Sequence, residues 1–325
     1  MMRFNILVIL SLITLVACGG GGGGTSTPTN ALAWTTQGIY HGTGSHFGVG
    51  NTGMIAPLSS GAGPAYGNNY NRDSMKLTLS SSSITVDYED WPLQTQEFDN
   101  WSFAFSDFSS SSVVSDSNTL TSTNYIYTNR DVANGKTKSI TIMVPTNYSN
   151  QFWVYWDNTH PDYASDSRYY YHANVFGSYT LYSAIPTSGT ATYTGGMEGY
   201  YGYDDLSSLF NVNGVASFSV NWAAKTIAGG FTNVKVTNTS SGAVSNFTNI
   251  SMASTSIVSD TMYSGGTEYA YFNQDLTGTG LSDSLYSDNE IYGYFYGSNA
   301  EEIAGTWEIG TSNNDNGAGY FAAKK

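Results

Sequence analysis

Little in this chain can cross-link, hold a metal through sulfur or sustain a helix. Among 325 residues there is one cysteine, Cys18, so neither a disulfide framework nor a cysteine-based metal site can be assembled. Charged residues are scarce, at 11%, and they are unbalanced: 11 Lys and Arg stand against 25 Asp and Glu, for a net charge of −14. A chain of that sign lacks the basic face that nucleic acid requires, and it cannot dock on anionic lipid by charge. An acidic surface serves solubility, or steers a basic partner. The signatures of common catalysts are missing as well: no GxSxG, no HExxH and no P-loop. Nothing in the sequence supports an enzyme. Long apolar runs are confined to the amino end, where Ile6 to Val16 is too short to span a bilayer as a stable helix.

That run has the length of a signal-peptide core, with Arg3 before it and LVAC (Leu15 to Cys18) behind it. The ending resembles the lipobox of bacterial lipoproteins. It predicts a signal peptide over 1–17, cleavage before Cys18 and acylation of the Cys18 thiol; the alternative is an ordinary secretory signal with a coincidental cysteine. Gly19, rather than Asp, follows the cysteine, which by resemblance to sorted lipoproteins favours the outer membrane. Six glycines, Gly19 to Gly24, then TSTPTN, make 18–33 a flexible tether with a reach of roughly 20 Å. The remainder is expected to be membrane-anchored yet soluble along its length.

What the chain has in plenty is tyrosine, 26 residues, and glycine, 36, within a composition that is 40% hydrophobic. Period-2 alternation recurs after residue 70. KSITIMV sets Ile140, Ile142 and Val144 on one face. VASFSVNW sets Ala216, Phe218, Val220 and Trp222 against Ser217, Ser219 and Asn221. EIYGYFYG sets Ile291, Gly293 and Phe295 against the ladder Tyr292, Tyr294 and Tyr296. These patterns predict half-buried strands, one face on a core and the other meeting water or a ligand. Turn clusters such as TSGT, NVNG, NTSSG and SNNDNG separate them. The one helical signal is SNAEEIAG, where Ser298 and Glu301 have capping-box spacing. The fold class is therefore all-β, with closed or sandwiched sheets to hide the edges. A boundary near AIPTSG (Ala184 to Gly189) predicts two domains, 34–185 and 186–325, without a repeat between them.

Several carboxy-terminal pieces are similar, in order, to a known family. They are GTATYTGG (Gly189 to Gly196), GVASFSVNWAAKTIAGGF (Gly214 to Phe231), GYFYGSNAEEIAGTWEIG (Gly293 to Gly310) and GYFAAKK (Gly319 to Lys325). Together they resemble the β-barrel domain of the transferrin-binding protein B-like surface lipoproteins. The departures are Ser298 for a usual proline, Ala304 and Ala322 for glycines, and Trp307 for phenylalanine. The resemblance implies a barrel of about eight antiparallel strands, packed with side chains, preceded by an amino-terminal β-sheet handle that carries the ligand surface in several relatives. It also implies a place on the outer face of the outer membrane, reached through a surface lipoprotein assembly modulator. A TonB-dependent receptor would take the cargo. Iron or haem capture from a host or environmental source is the leading function class; an adhesin or complement-evasion protein that handles no metal is the alternative. The matching motifs belong to the scaffold, so no ligand contact transfers with them.

Candidate ligand residues all precede the boundary. His41 and His46 share the glycine-rich stretch IYHGTGSHFGVGN, read as a flexible loop. They are either surface histidines or, since relatives include haem carriers, axial ligands to the iron of haem held as cargo. No resident cofactor is called for, and the histidine spacing fits no zinc site. In QFWVYWDNTHPDY, Trp153 and Tyr155 share a strand face beside His160, as anchors for a partner or as packing against a neighbouring sheet. DLTGTGLSD (Asp275 to Asp283) echoes a calcium loop, yet Tyr286 stands where its bidentate glutamate belongs, so a polar turn is the better reading. Glu301 and Glu302 look like a catalytic pair, but capping explains them better.

Overall fold

The computed structural model describes residues 44–57, 73–79, 83–89, 101–104, 109–114, 123–133, 136–145, 148–159, 168–202, 209–260, 268–282, 289–311 and 316–325. Side chains are described at 148–151, at 153 and, from 175 onward, at all of these except 209 and 316. The signal segment 1–17, Cys18, the tether, His41 and His160 lie outside the described residues, as do the side chains of His46, Tyr155 and His172.

The first nine strands are β1 (Gly44–Pro57), β2 (Asp73–Leu79), β3 (Ser83–Glu89), β4 (Trp101–Ala104), β5 (Ser109–Val114), β6 (Thr123–Ala133), β7 (Lys136–Pro145), β8 (Gln151–Thr159) and β9 (Arg168–Gly177). They form one sheet in the order β4-β3-β2-β1-β9-β8-β7-β6-β5. Two meanders thus run outward from a central pair, β1 and β9, which is antiparallel like its neighbours. The expected loop around His46 is corrected here. From Gly44 the stretch is strand, and His46 stands opposite Leu77 of β2. Pairing with β2 over the first half of β1 and with β9 over the second offsets the weak strand preference of its glycines.

The second sheet contains β10 (Thr190–Gly202), β11 (Leu209–Asn221), β12 (Thr226–Asn238), β13 (Val244–Asn246), β14 (Ile250–Ser256), β15 (Val258–Asp260), β16 (Tyr269–Thr277), β17 (Glu290–Tyr296), β18 (Glu302–Gly310) and β19 (Asn316–Lys324). Its order runs β11-β10-β19-β18-β17-β16-β14-β12, and β12 pairs back to β11. That pairing closes an antiparallel barrel of eight strands. The short β13 and β15 are side pieces on β12 and β16. Closure removes the exposed edges that an open sheet of this length would carry.

Alternation fills the interior. Phe218, Phe231, Phe272, Phe295, Trp307 and Phe321 are all fully buried and belong to one cluster. Phe321 lies 5.3 Å from Phe218 and 5.8 Å from Phe231, ring centre to ring centre. The barrel is solid. Its free outer face is polar, with Ser217, Ser219 and Asn221 of β11, Thr232 of β12 and Ser251 of β14 exposed. A membrane-spanning barrel has the reverse pattern, apolar outside.

The helical turn expected at SNAEEIAG is absent. Residues 297–300 form a tight turn in which Gly297 and Ala300 have φ of 88° and 55°, so the chain leaves the right-handed region at both positions. The capping contacts survive without the helix: the Ser298 hydroxyl donates to Glu301 at 3.3 Å, and the Asn299 N–H donates to it at 3.0 Å.

Candidate functional site: the junction of sheet and barrel

Strands β17, β18 and β19 are buried on both faces, because β1 and β9 of the first sheet lie over β18 and β19. One face of these strands fills the barrel. The other, expected to meet water or a ligand, is covered. On that covered face stand Tyr292 and Tyr294 from β17, Glu302 and Ala304 from β18, and Tyr320 and Ala322 from β19, all buried.

From the other side come Trp153, 1% exposed, and Val175, which share a cluster with these tyrosines. Trp153 packs on Tyr320 with ring centres 5.0 Å apart, and Tyr148 meets it edge-on at 5.9 Å. Of the two readings for Trp153, packing between sheets is the one that holds. The barrel occupies the surface of its ring. Tyr155 stands two residues along β8, opposite Thr141 of β7 and Ala173 of β9. His172 stands opposite Thr52 of β1, and His46 lies further along β1 opposite Leu77, so the register separates these two histidines.

The polar centre of the junction is Glu302, which sequence reasoning had set aside with its neighbour as a cap. Its Oε1 accepts from the Ser149 N–H at 2.8 Å and from Asn150 Nδ2 at 3.1 Å. Its Oε2 accepts from Gln151 Nε2 at 3.2 Å and from the Asn150 N–H at 3.3 Å. Gln151 Oε1 in turn accepts from the Trp153 indole N–H at 3.3 Å. Burial raises the Glu302 carboxyl above its ordinary value, although these donors pull the other way. Glu301 faces the turn instead. Burial pushes it up, but the bonds it accepts, those from Asn299 and Ser298 among them, together outweigh this and hold it below the usual value. The two carboxyls therefore point to different tasks. The signal that could have found Glu302 is a charged residue opening the all-buried run 302–310.

The phenols around this centre are kept protonated. Burial raises Tyr148, Tyr292 and Tyr320, and neighbouring carboxylates add to the effect at Tyr148 and Tyr292. Tyr320 donates to Glu198 at 2.9 Å, Tyr294 donates to Asp260 and Tyr292 to Glu290. Chemically the junction pairs its carboxylates and phenols with donors and acceptors, with the buried Thr306 hydroxyl left without a hydrogen-bond partner, and it is suited to holding two bodies together.

One cleft opens at the other end of β16 and β17. It has a volume of about 640 Å³ and is lined by Asp275, Leu276, Leu281, Ser282, Asn289 and Glu290 among others. Asp275 and Glu290 face each other across the two strands. The calcium-like stretch begins here as strand and turns at Gly278 to Gly280. Among the described residues no three His, Cys, Asp or Glu side chains gather as a metal group.

An eight-stranded closed barrel filled with aromatic side chains, carrying a β-sheet docked on its outer face, defines the class of fold. Residues 185–325 match the family model of the C-lobe and N-lobe beta barrels of Tf-binding protein B. The carboxy-terminal part of the chain is a barrel of the transferrin-binding protein B-like family, as its ordered motifs had indicated. Among solved structures, an intact TbpB with N and C lobes shares 11% identity over 88% of this chain and 77% of its own, with a TM-score of 0.38. A TbpB double mutant from Haemophilus parasuis Hp5 shares 11% over 88% and 76%, with a TM-score of 0.35. A surface lipoprotein shares 12% over 85% and 98%, with a TM-score of 0.31. No curated protein matches the chain in sequence.

Proposed function

We propose that this chain is an outer-membrane surface lipoprotein, held by an acyl group on Cys18, that binds a host or environmental ligand in iron or haem acquisition. The observation that carries the reading is the match of residues 185–325 to the barrels of a protein whose name states that it binds transferrin. The lipobox-like LVAC and the glycine tether support the anchor and the distance from the membrane.

Features of the barrel support a ligand surface on the other sheet. Its interior is filled by phenylalanine and tryptophan, and its tyrosine face is spent on the first sheet. Among the described residues, the exposed remainder is mainly Ser, Thr and Asn, poor in the aromatic anchors that dominate protein recognition. Our reading puts the binding surface on the amino-terminal sheet and its loops, with His41, His46, Tyr155 and His160 as the candidate contacts. His41 and His46 would hold the iron if the cargo is haem. A TonB-dependent receptor would accept the cargo, and a surface lipoprotein assembly modulator would deliver the protein to the cell exterior.

Hemin titration and a transferrin pull-down with the mature protein test this. A Soret band that is lost in a His41→Ala, His46→Ala double variant supports haem. Retention of transferrin by a protein inert to hemin supports an iron carrier as partner. Capture of a complement regulator alone, with neither of the others, overturns iron acquisition in favour of the evasion role.

A further inference from the structure

The boundary read from the sequence, near Pro186, suggests two domains free to move about a linker, the usual expectation for a connection of that kind. The segment just before it, 178–182, behaves otherwise. Strands β16 and β17 pair through Tyr271 and Tyr294, and continuing that register would set Tyr269 opposite Tyr296. Instead each pairs with the connector: Tyr296 with Tyr179, and Tyr269 with Leu181.

The hydrogen bonds are complete on both sides. The Thr180 N–H donates to Phe295 O at 2.8 Å and the Gly297 N–H to Ser178 O at 2.8 Å. The Ala270 N–H donates to Thr180 O at 2.9 Å and the Tyr182 N–H to Glu268 O at 2.9 Å. The Thr180 hydroxyl adds a buried bond to Gly297 O at 2.6 Å. The Tyr179 ring nests among Tyr269, Tyr294 and Tyr296 at 5.3, 5.0 and 5.0 Å. On the sheet side, the Ser178 N–H donates to Asn150 O at 2.8 Å, and Asn150 is itself bonded to Glu302.

We propose that residues 178–182 are a splint: a bent clip that wedges apart the ends of two barrel strands, bonds to both, and makes the first sheet and the barrel one cooperative body. The chain passes from sheet to barrel through ladder bonds, so no hinge exists at the crossing. Any swing of the sheet would have to break the five bonds between the connector and the barrel together with the Glu302 cluster.

Hydrogen exchange on the full chain reads the proposal directly. The amides of Thr180, Ala270 and Gly297 are expected to be protected within about tenfold of the barrel amides of Ile303 and Phe321. Protection weaker by about a thousandfold would overturn the splint. Thr180→Pro deletes the donor to Phe295 O, and it is expected to split one unfolding transition into two and to open 178–185 to protease. A Thr180→Pro protein that keeps a single transition and the original protease resistance also overturns it. Should that variant fail to fold, Thr180→Val keeps the N–H and removes only the bond to Gly297 O. It is expected to speed exchange at Thr180 and Gly297, and unchanged exchange there counts against the proposal.

Discussion

The indole of Trp153 and the phenol of Tyr320 pack 5.0 Å apart, centre to centre, with their planes tilted by 34°, joining β8 of the first sheet to β19 of the barrel. Both are buried, and the indole N–H is bound to Gln151. Trp153→Ala empties a site that barrel and sheet cannot both close around. A loss of about 3–5 kcal/mol is expected in denaturant unfolding, the usual range for removing a buried tryptophan. An unchanged midpoint would mean that the two surfaces are not in contact in solution.

Glu302 is the acceptor for donors on Ser149, Asn150 and Gln151. Glu302→Ala leaves the buried Gln151 amide without this acceptor, at about 1–3 kcal/mol, whereas Ser149 is exposed and Asn150 half-buried, so water can reach them. Glu302→Gln keeps one acceptor and is expected to cost less. Thermal melts of the two variants beside the parent protein give the ranking.

The same carboxyl sets a pH dependence whose sign is fixed by the direction of its shift. Its folded value is raised above the ordinary 4.5, so the folded protein holds this proton more tightly than the unfolded chain does. Its contribution is fully present below 4.5 and is lost as pH rises through the folded value. The stability difference between parent and Glu302→Gln is therefore expected to shrink in the parent's disfavour over that window. Chemical unfolding from pH 4 upward measures it.

Gly293 and Gly305 face each other across β17 and β18, inside the barrel. A Cβ at Gly293 would run into the ring of Phe272, while one at Gly305 would strike the Tyr292 carbonyl. Gly293→Ala is expected to destabilise by about 1–3 kcal/mol through overpacking, and Phe272→Leu in the same chain should recover part of the loss. Gly305→Ala meets backbone, so the ring substitution should give no recovery there.

Cys18→Ser removes the thiol on which the proposed lipid anchor depends. Radiolabelled palmitate is expected to enter the parent protein and not the variant, which should no longer fractionate with membranes.

The strands were legible wherever one face is apolar and the other polar. Phe218 and Val220 against Ser217 and Ser219 were read correctly because water does sit on the second face. The Tyr292, Tyr294 and Tyr296 row has the same alternation, yet both of its faces are buried. Tyrosine has an apolar body and a polar tip, so it suits a wet surface and a covered one alike, and local pattern cannot tell which. Glu302 was illegible for a related reason, since its donors come from residues 149–151, far away in sequence. The turn at Ser298 was half legible: the side-chain contacts were read, and the positive φ of Ala300 that ends the turn was not. The strand β1 was missed because its glycines look like a loop until partners on either side are known.

The barrel's closing strand is its last one, since β19 sits between β10 and β18 and pairs with both. Met197 of β10 must wait for Phe321 before its neighbour on that side exists. Pairings so distant along the chain form slowly, and a polypeptide threading through a membrane from its amino end cannot lock this ring until residues 316–324 emerge. Until then the cylinder is an open sheet, so the moment of final folding is set by where a single segment falls in the sequence.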